Sequence, residues 1–130
     1  MSKKNIIRRV FRDIVGSGKV DETEIRRLFA DGYVQKVDGK TLDLDGFIAH
    51  MHAQKQHIAE AETRFLALAE DGDTVFSNHI VSAKKADGSR ITVQVLAQFD
   101  FDGDGRIILC DELTRLLEGG REDADIGSRH

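Results

Sequence analysis

Ile91-Thr92-Val93-Gln94-Val95-Leu96-Ala97-Gln98-Phe99-Asp100-Phe101 sets apolar residues at every odd position, with mostly polar residues between them. Successive side chains on a strand point to opposite faces, so this spacing predicts a long strand with one strongly apolar face. Just before it, Lys85-Ala86-Asp87-Gly88-Ser89-Arg90 carries the strongest hairpin signal of the chain, Asp-Gly. Thr74 to Ala83, rich in Val, Ile, Phe and Ser, is then the partner strand. After it, Gly103-Asp104-Gly105 turns the chain into Ile107 to Leu117. Upstream, Phe65-Leu66-Ala67-Leu68 leads into a turn at Asp71-Gly72-Asp73.

The N-terminal half reads differently. Ile6, Ile7, Val10, Phe11, Ile14 and Val15 recur at helical spacing and give one apolar face. Gly16-Ser17-Gly18 stops that helix. Asp21 with Glu24 three residues on is a capping-box pattern, with Val20 and Ile25 as its staple. The second helix carries Ile25, Leu28 and Phe29 and ends near Asp31-Gly32. Tyr33 to Val37 is a short strand closed by Asp38-Gly39. Asp43 or Asp45 caps a third helix, with Phe47, Ile48, Met51 and Ile58 on its apolar side. Three amphipathic helices and then about four tightly joined strands make an α+β plan. The expectation is one domain over residues 1–118, with a polar, mobile tail at 119–130.

The chain has 130 residues and a net charge of −4, with mixed charge and ordinary hydrophobicity. That fits one core and gives no general nucleic-acid-binding surface, which needs a basic face. Lys3, Lys4, Arg8, Arg9 and Arg12 make a local basic patch, read as a solvated helix face. Cys110 is the single cysteine, so neither an intrachain disulfide nor a cysteine-based zinc site is expected. The charged start is neither a signal peptide nor a membrane span, and the cytoplasm is the default location. No cofactor is expected.

The element order resembles the cone-shaped, cystatin-like fold shared by nuclear transport factor 2, the SnoaL-type polyketide cyclases, scytalone dehydratase and ketosteroid isomerase. Leu28 to Val34 is similar to that superfamily's second helix running into its first strand. Lys85 to Arg90 resembles its central hairpin, and Phe99 to Ile107 its last one. Asp111-Glu112-Leu113-Thr114-Arg115-Leu116-Leu117 resembles the closing strand of the SnoaL-like branch. The resemblance implies a curved antiparallel sheet of about five strands, with the three helices packed in its concave face. It is specific for fold and weak for chemistry. The isomerase's own residues do not carry over. The position of its base falls on Val37, beside Asp38, and its second acid falls on Ala97. Val10 and Phe11 stand where its first-helix tyrosine would be. That mechanism is therefore not expected.

Asp111 and Glu112 are adjacent on a strand, so one looks inward, toward a cup that would raise its pKa. By analogy with SnoaL-like cyclases the pair is the candidate acid or base, and the isomerase comparison favours Glu112. A surface acid paired with Arg106 or Arg115 is the bland alternative. The register of His79 is open. If Val75, Ser77, His79, Val81 and Ala83 face the helices, His79 is inside; if Phe76, Asn78, Ile80 and Ser82 do, Asn78 is. The isomerase hairpin favours the second, whereas scytalone dehydratase suggests an acid–base role for a strand histidine. Tyr33 and Gln35 share a face and are candidate pocket walls, with Val37, Val95, Ala97, Phe99 and Cys110. His50 reaches the rim of a pocket under the third helix, whereas His52 and His57 read as solvated.

Asp100, Asp102 and Asp104, with Gly105, Ile107 and Asp111, spell an EF-hand loop. The entering segment has strand periodicity, the twelfth position is Asp and no second loop exists. An acidic hairpin turn uses the same residues, and no metal site is expected. Gly16-Ser17-Gly18-Lys19 lacks the rest of a phosphate loop. The expected function is binding of a small apolar molecule, with cyclase, isomerase or dehydratase chemistry by general acid–base catalysis. The alternatives are a non-catalytic ligand-binding or dimerisation module, and a calcium-binding protein. A homodimer through the outer sheet face, carrying Thr92, Gln94, Leu96 and Gln98, is expected; nucleic acid and membrane partners are not.

Overall fold

The structure is a computed structural model and describes residues 2–119. Helix α1 (Lys3–Val10) begins where the Ser2 hydroxyl accepts the Asn5 N–H at 3.2 Å, and it buries Ile7 and Val10. It widens into a π-helical turn, Phe11–Val15, that Gly16 closes. A Cβ on Gly16 would lie 2.9 Å from the Arg12 carbonyl and 3.0 Å from that of Phe11, so a larger residue enters only if this turn shifts. Helix α2 (Glu22–Leu28) is capped by Asp21, whose carboxylate accepts the Glu24 N–H. The Glu24 carboxylate does not reach back. Arg27 holds it at 2.6 Å and Arg9 at 2.8 Å. Helix α3 (Leu44–His57) is capped by Asp43 rather than Asp45, and buries Phe47, Ile48 and Met51.

The strands are β1 (Phe29–Val37), β2 (Lys40–Asp43), β3 (Ile58–Asp71), β4 (Thr74–Lys85), β5 (Arg90–Phe101) and β6 (Ile107–Glu118). They form one curved, open sheet in the order β2-β1-β6-β5-β4-β3. The α+β plan stands, with six strands in place of about five. Strand β2 is only four residues long. Strand β3 takes in Ile58, which the periodicity had placed on α3, and runs on for fourteen residues. Phe29, expected at the end of α2, opens β1. Four of the five pairings are antiparallel, as expected, but β1 runs parallel to β6 and sets Gln35 opposite Cys110 and Val37 opposite Glu112.

The odd residues of β5, Ile91 to Phe101, are all buried on the concave face, as the alternation requires. α1, α2 and α3 close that face, so the core lies between helices and sheet. Asp100 to Asp111 is the end of β5, a turn and the start of β6, so strands flank it on both sides. The Asp102 carboxylate accepts the N–H groups of Asp104 at 2.9 Å and Arg106 at 3.0 Å, and Gly105 sits at φ +79°. These residues thus serve turn geometry. Among the described residues no group of three or more His, Cys, Asp or Glu is placed to hold a metal ion. None of their helices is long and apolar enough to cross a membrane. Residues 120–130 of the expected tail lie outside the described residues.

Candidate functional site: a cavity between the helices and the sheet

A cavity of about 140 Å³ lies between the helices and the concave face of the sheet. Its walls are mostly apolar, from Phe11, Phe47, Met51, Val93, Val95 and Phe99. That volume is close to the roughly 150 Å³ of a cavity that accepts a benzene ring, so the space suits one ring. Polar groups enter from the sheet at two places, and from α3 through His50, Gln54 and Lys55.

The first is the seam of β1 and β6. Cross-strand pairing puts Tyr33 and Gln35 of β1 beside Cys110, Glu112 and Thr114 of β6, and all five line the cavity. The Tyr33 hydroxyl donates to Gln35 Oε1 at 2.9 Å in a buried pair. Burial pushes the Tyr33 phenol up, with Cys110 and Glu112 adding to the effect. Burial likewise pushes the Cys110 thiol up, so it is a neutral wall residue rather than a thiolate. Glu112 has its pKa pushed up to about 8, first by burial and then by the negative charges of Asp38 and Asp111.

The second is on β4. His79 is fully buried, and its Nδ1 lies 2.8 Å from the Ser77 hydroxyl. Its ring packs against Phe11 at 4.5 Å and Phe65 at 5.4 Å between centroids. Burial pulls its pKa down to about 4, so the ring is neutral at pH 7. On α3, Lys55 also lines the cavity and donates to the carbonyls of Ile14 and Val15 at 3.0 and 2.6 Å. It thereby ties the π-helical turn that carries Phe11, and burial lowers its pKa.

Seven expected residues besides Glu112 meet at this cavity: Tyr33, Gln35, His50, His79, Val95, Phe99 and Cys110. His50 is buried on α3, deeper than the expected rim, while His52 and His57 are exposed. Four expectations are corrected. Asp111 is exposed on the outer face, because Glu112 takes the inward position opposite Ala97. Val37 and Ala97 are buried core residues and do not line the cavity. The register favoured by the isomerase comparison is reversed. Val75, Ser77, His79 and Ala83 are buried, and Asn78 faces outward, where it accepts from Gln94 at 2.9 Å. The residue reading missed Ser77, Thr114 and Lys55. Ser77 is two residues from His79 and so shares its face, and Lys55 is one helical turn beyond Met51.

The profile of the SnoaL-like domain family matches residues 7–109. An uncharacterized protein of Schizosaccharomyces pombe is 34% identical over 125 residues, which is 96% of this chain and 95% of that protein. Among solved structures, an NTF2-like protein of unknown function from an Exiguobacterium species superposes with a TM-score of 0.69 at 20% identity. That match covers 88% of this chain and 99% of that one. IdmH of Streptomyces antibioticus, a proposed polyketide cyclase, gives 0.73 at 15% identity over 90% and 93% of the two chains. An LEH-like epoxide hydrolase of M. tuberculosis gives 0.68 at 14% identity over 87% and 82%. At such identities the structural likeness carries the fold and leaves the chemistry to the site.

Proposed function

The chain belongs to the SnoaL-like domain family, and on that footing we propose that it binds a small, largely apolar molecule in this cavity and moves a proton on it, with Glu112 as the acid–base group. The observation that carries this reading is the Glu112 carboxyl, which lines an apolar cavity with its pKa raised to about 8. A catalytic acid or base works best with a pKa near the working pH. At pH 7 roughly one such carboxyl in ten is ionised. The ionised form takes a proton from a carbon beside a ligand carbonyl and, now neutral, returns it to another atom of the same ligand. That is the proton transfer common to cyclisation, isomerisation and dehydration. Tyr33 and Gln35 orient the ligand, and neutral His79 faces it from β4. The proposed polyketide cyclase and the LEH-like epoxide hydrolase show that this fold is compatible with a small-molecule enzyme. A cytoplasmic location belongs to this proposal, and the single, buried Cys110 is compatible with it.

The test is α-hydrogen exchange of cyclohexanone in D2O, followed by proton NMR. Exchange faster than buffer that is lost in Glu112→Gln and kept in Asp111→Asn supports the reading. Binding without exchange in the wild type would leave a non-catalytic ligand-binding module.

A second reading concerns assembly. The outer sheet face exposes Phe76 of β4, Leu96 of β5 and Leu113 of β6, the last at 64%. Leu96 and Leu113 are direct cross-strand neighbours. Asp111 and Arg115 flank Leu113 on the same face. A two-fold axis near Leu113 would bring opposite charges together around an apolar centre, so a second copy of this chain is the partner assigned to this face.

A further inference from the structure

Ser77 and His79 stand two residues apart on the inward face of β4, 6% and 0% exposed. The Ser77 hydroxyl and His79 Nδ1 are 2.8 Å apart, and His79 Nε2 is buried with no hydrogen-bond partner among the described residues. Buried polar atoms nearly always find a partner, and leaving one unmade is costly. Two tautomers are open to the ring. If Nδ1–H donated to Ser77, the serine hydrogen would be left without an acceptor in a buried site. If Ser77 donates to Nδ1, both members of the pair are satisfied and Nε2 carries the remaining hydrogen. The faces of Phe11 and Phe65 that surround the ring are weak acceptors at best.

We propose that His79 Nε2–H is a second recognition point in the cavity, set to donate to a carbonyl oxygen, so that the ligand is a small neutral ring bearing carbonyl oxygens at two opposed edges. The proposal rests on the reading of Glu112 given above. Protonated Glu112 supplies the other donor, at the far wall. The two residues are two strands apart and one pleat out of step, since His79 pairs with Val95, which pairs with Thr114, whereas Ser77 pairs with Ala97, which pairs with Glu112. At a strand spacing of about 4.8 Å their backbones are separated by about 10 Å across the sheet. Both residues line the same cavity, whose 140 Å³ is about the room one ring needs. A carboxylate ligand is disfavoured. At these two ends its charge would meet a neutral imidazole within aromatic walls and Glu112, already destabilised as an anion by burial and then by Asp38 and Asp111, while Lys55 is held by the carbonyls of Ile14 and Val15.

The test compares cyclohexane-1,4-dione with cyclohexanone, by NMR titration of the wild type, His79→Phe and Ser77→Ala. The wild type is expected to bind the dione about five- to tenfold more tightly, the size of one hydrogen bond. His79→Phe is expected to lose that preference while still binding cyclohexanone. Imidazole ¹⁵N spectra of the wild type at pH 7, which need no variant, are expected to show the Nε2–H tautomer and a shift of that nitrogen with the dione. An Nδ1–H tautomer, or a dione preference that survives in His79→Phe, overturns the proposal and leaves the Glu112 reading intact. Failure of the wild type to bind either ketone overturns both.

Discussion

Asp38 and Thr114 are joined twice: the Asp38 carboxylate accepts both the backbone N–H of Thr114, at 2.8 Å, and its hydroxyl. The Asp38 N–H in turn donates to the Glu112 carbonyl at 3.1 Å. Asp38 sits at φ +50°, a conformation that Asp and Asn tolerate better than other side chains. The staple closes β1 onto β6 at the point where Glu112 enters the cavity, and it fixes a negative charge beside that carboxyl.

Asp38→Asn keeps the left-handed backbone and an acceptor for Thr114 but removes the charge. A like charge disfavours ionisation, so removing it lowers the pKa of Glu112 from about 8 toward its ordinary value. A ¹³C titration of the Glu112 carboxyl reads this directly. An unchanged midpoint would mean that burial and Asp111 set the value without Asp38. Asp38→Ala is expected to lose stability as well, by about 1–2 kcal/mol, because the staple goes and the φ becomes strained.

Glu112 and His79 make opposite contributions to stability as pH changes. The folded pKa of Glu112 is raised from 4.5 to about 8, so between those values the folded state holds a proton that the unfolded state has lost. Stability therefore falls as pH rises through that window, by at most about 1.4 kcal/mol per pH unit. The folded pKa of His79 is lowered from 6.5 to about 4, so stability rises with pH across that window. In the wild type the two slopes oppose each other between about pH 4.5 and 6.5, and only the decline remains up to pH 8. Urea denaturation from pH 4 to 9 is expected to show Glu112→Gln rising to pH 6.5 and then flat. His79→Phe is expected to fall steadily from pH 4.5 to 8. Parallel profiles for both variants and the wild type would contradict the placement of these two groups.

The sequence reveals most about this fold where one face of an element is buried and the other is wet. Strand β5 is such a case, and its alternation gives every inward residue. Strand β3 is an edge strand whose Ala, Glu and Leu residues are mostly exposed or half-buried, so no apolar period marks it. The parallel pairing of β1 with β6 joins segments far apart in the chain and leaves no local mark. On β4, Val75, Val81 and Ala83 compete with Phe76 and Ile80, so the pattern could not decide whether His79 faces in. The loop length decides it. A two-residue Asp87-Gly88 turn would pair His79 with Leu96 and turn it outward. The loop is instead Ala86-Asp87-Gly88, closed by Lys85 N–H to Ser89 O at 2.8 Å, with Gly88 at φ +91°. Three-residue loops of this kind end on a left-handed glycine, and this one pairs His79 with Val95. Glu112 was legible as half of an acidic pair, but its charged neighbour Asp38 was not, because the staple spans 76 residues.

Phe11 shields His79 with an edge-on ring and also contacts Phe65 at 5.6 Å and Phe99 at 6.1 Å. Phe11→Ala is expected to cost about 3 kcal/mol and to enlarge the cavity. It admits water to the His79 ring, so the imidazole pKa rises from about 4 toward 6.5, measured by proton NMR titration. Gly16→Ala, which forces a Cβ against the carbonyls of Arg12 and Phe11, is expected to cost about 1–3 kcal/mol and to displace the same ring. An imidazole that titrates near 4 in Phe11→Ala would show that this ring does not control the site.

The outer face gives the last expectation. Phe76, Leu96 and Leu113 are 50%, 51% and 64% exposed and lie close together on β4, β5 and β6. An apolar group of this kind on a sheet invites a partner. Around it, Arg115 donates to Gln94 at 2.7 Å and Gln94 to Asn78 at 2.9 Å, a polar border of the sort that rims an interface. Sedimentation equilibrium at micromolar concentration is expected to give twice the chain mass. Leu113→Lys is expected to give a monomer with an unchanged circular dichroism spectrum, because its side chain touches solvent and not the core. Arg115→Glu places like charges around the same axis and is expected to weaken the dimer, with added salt partly restoring it. A wild-type protein that sediments as a monomer would remove the second copy from this face, and the cavity chemistry would then belong to a single chain.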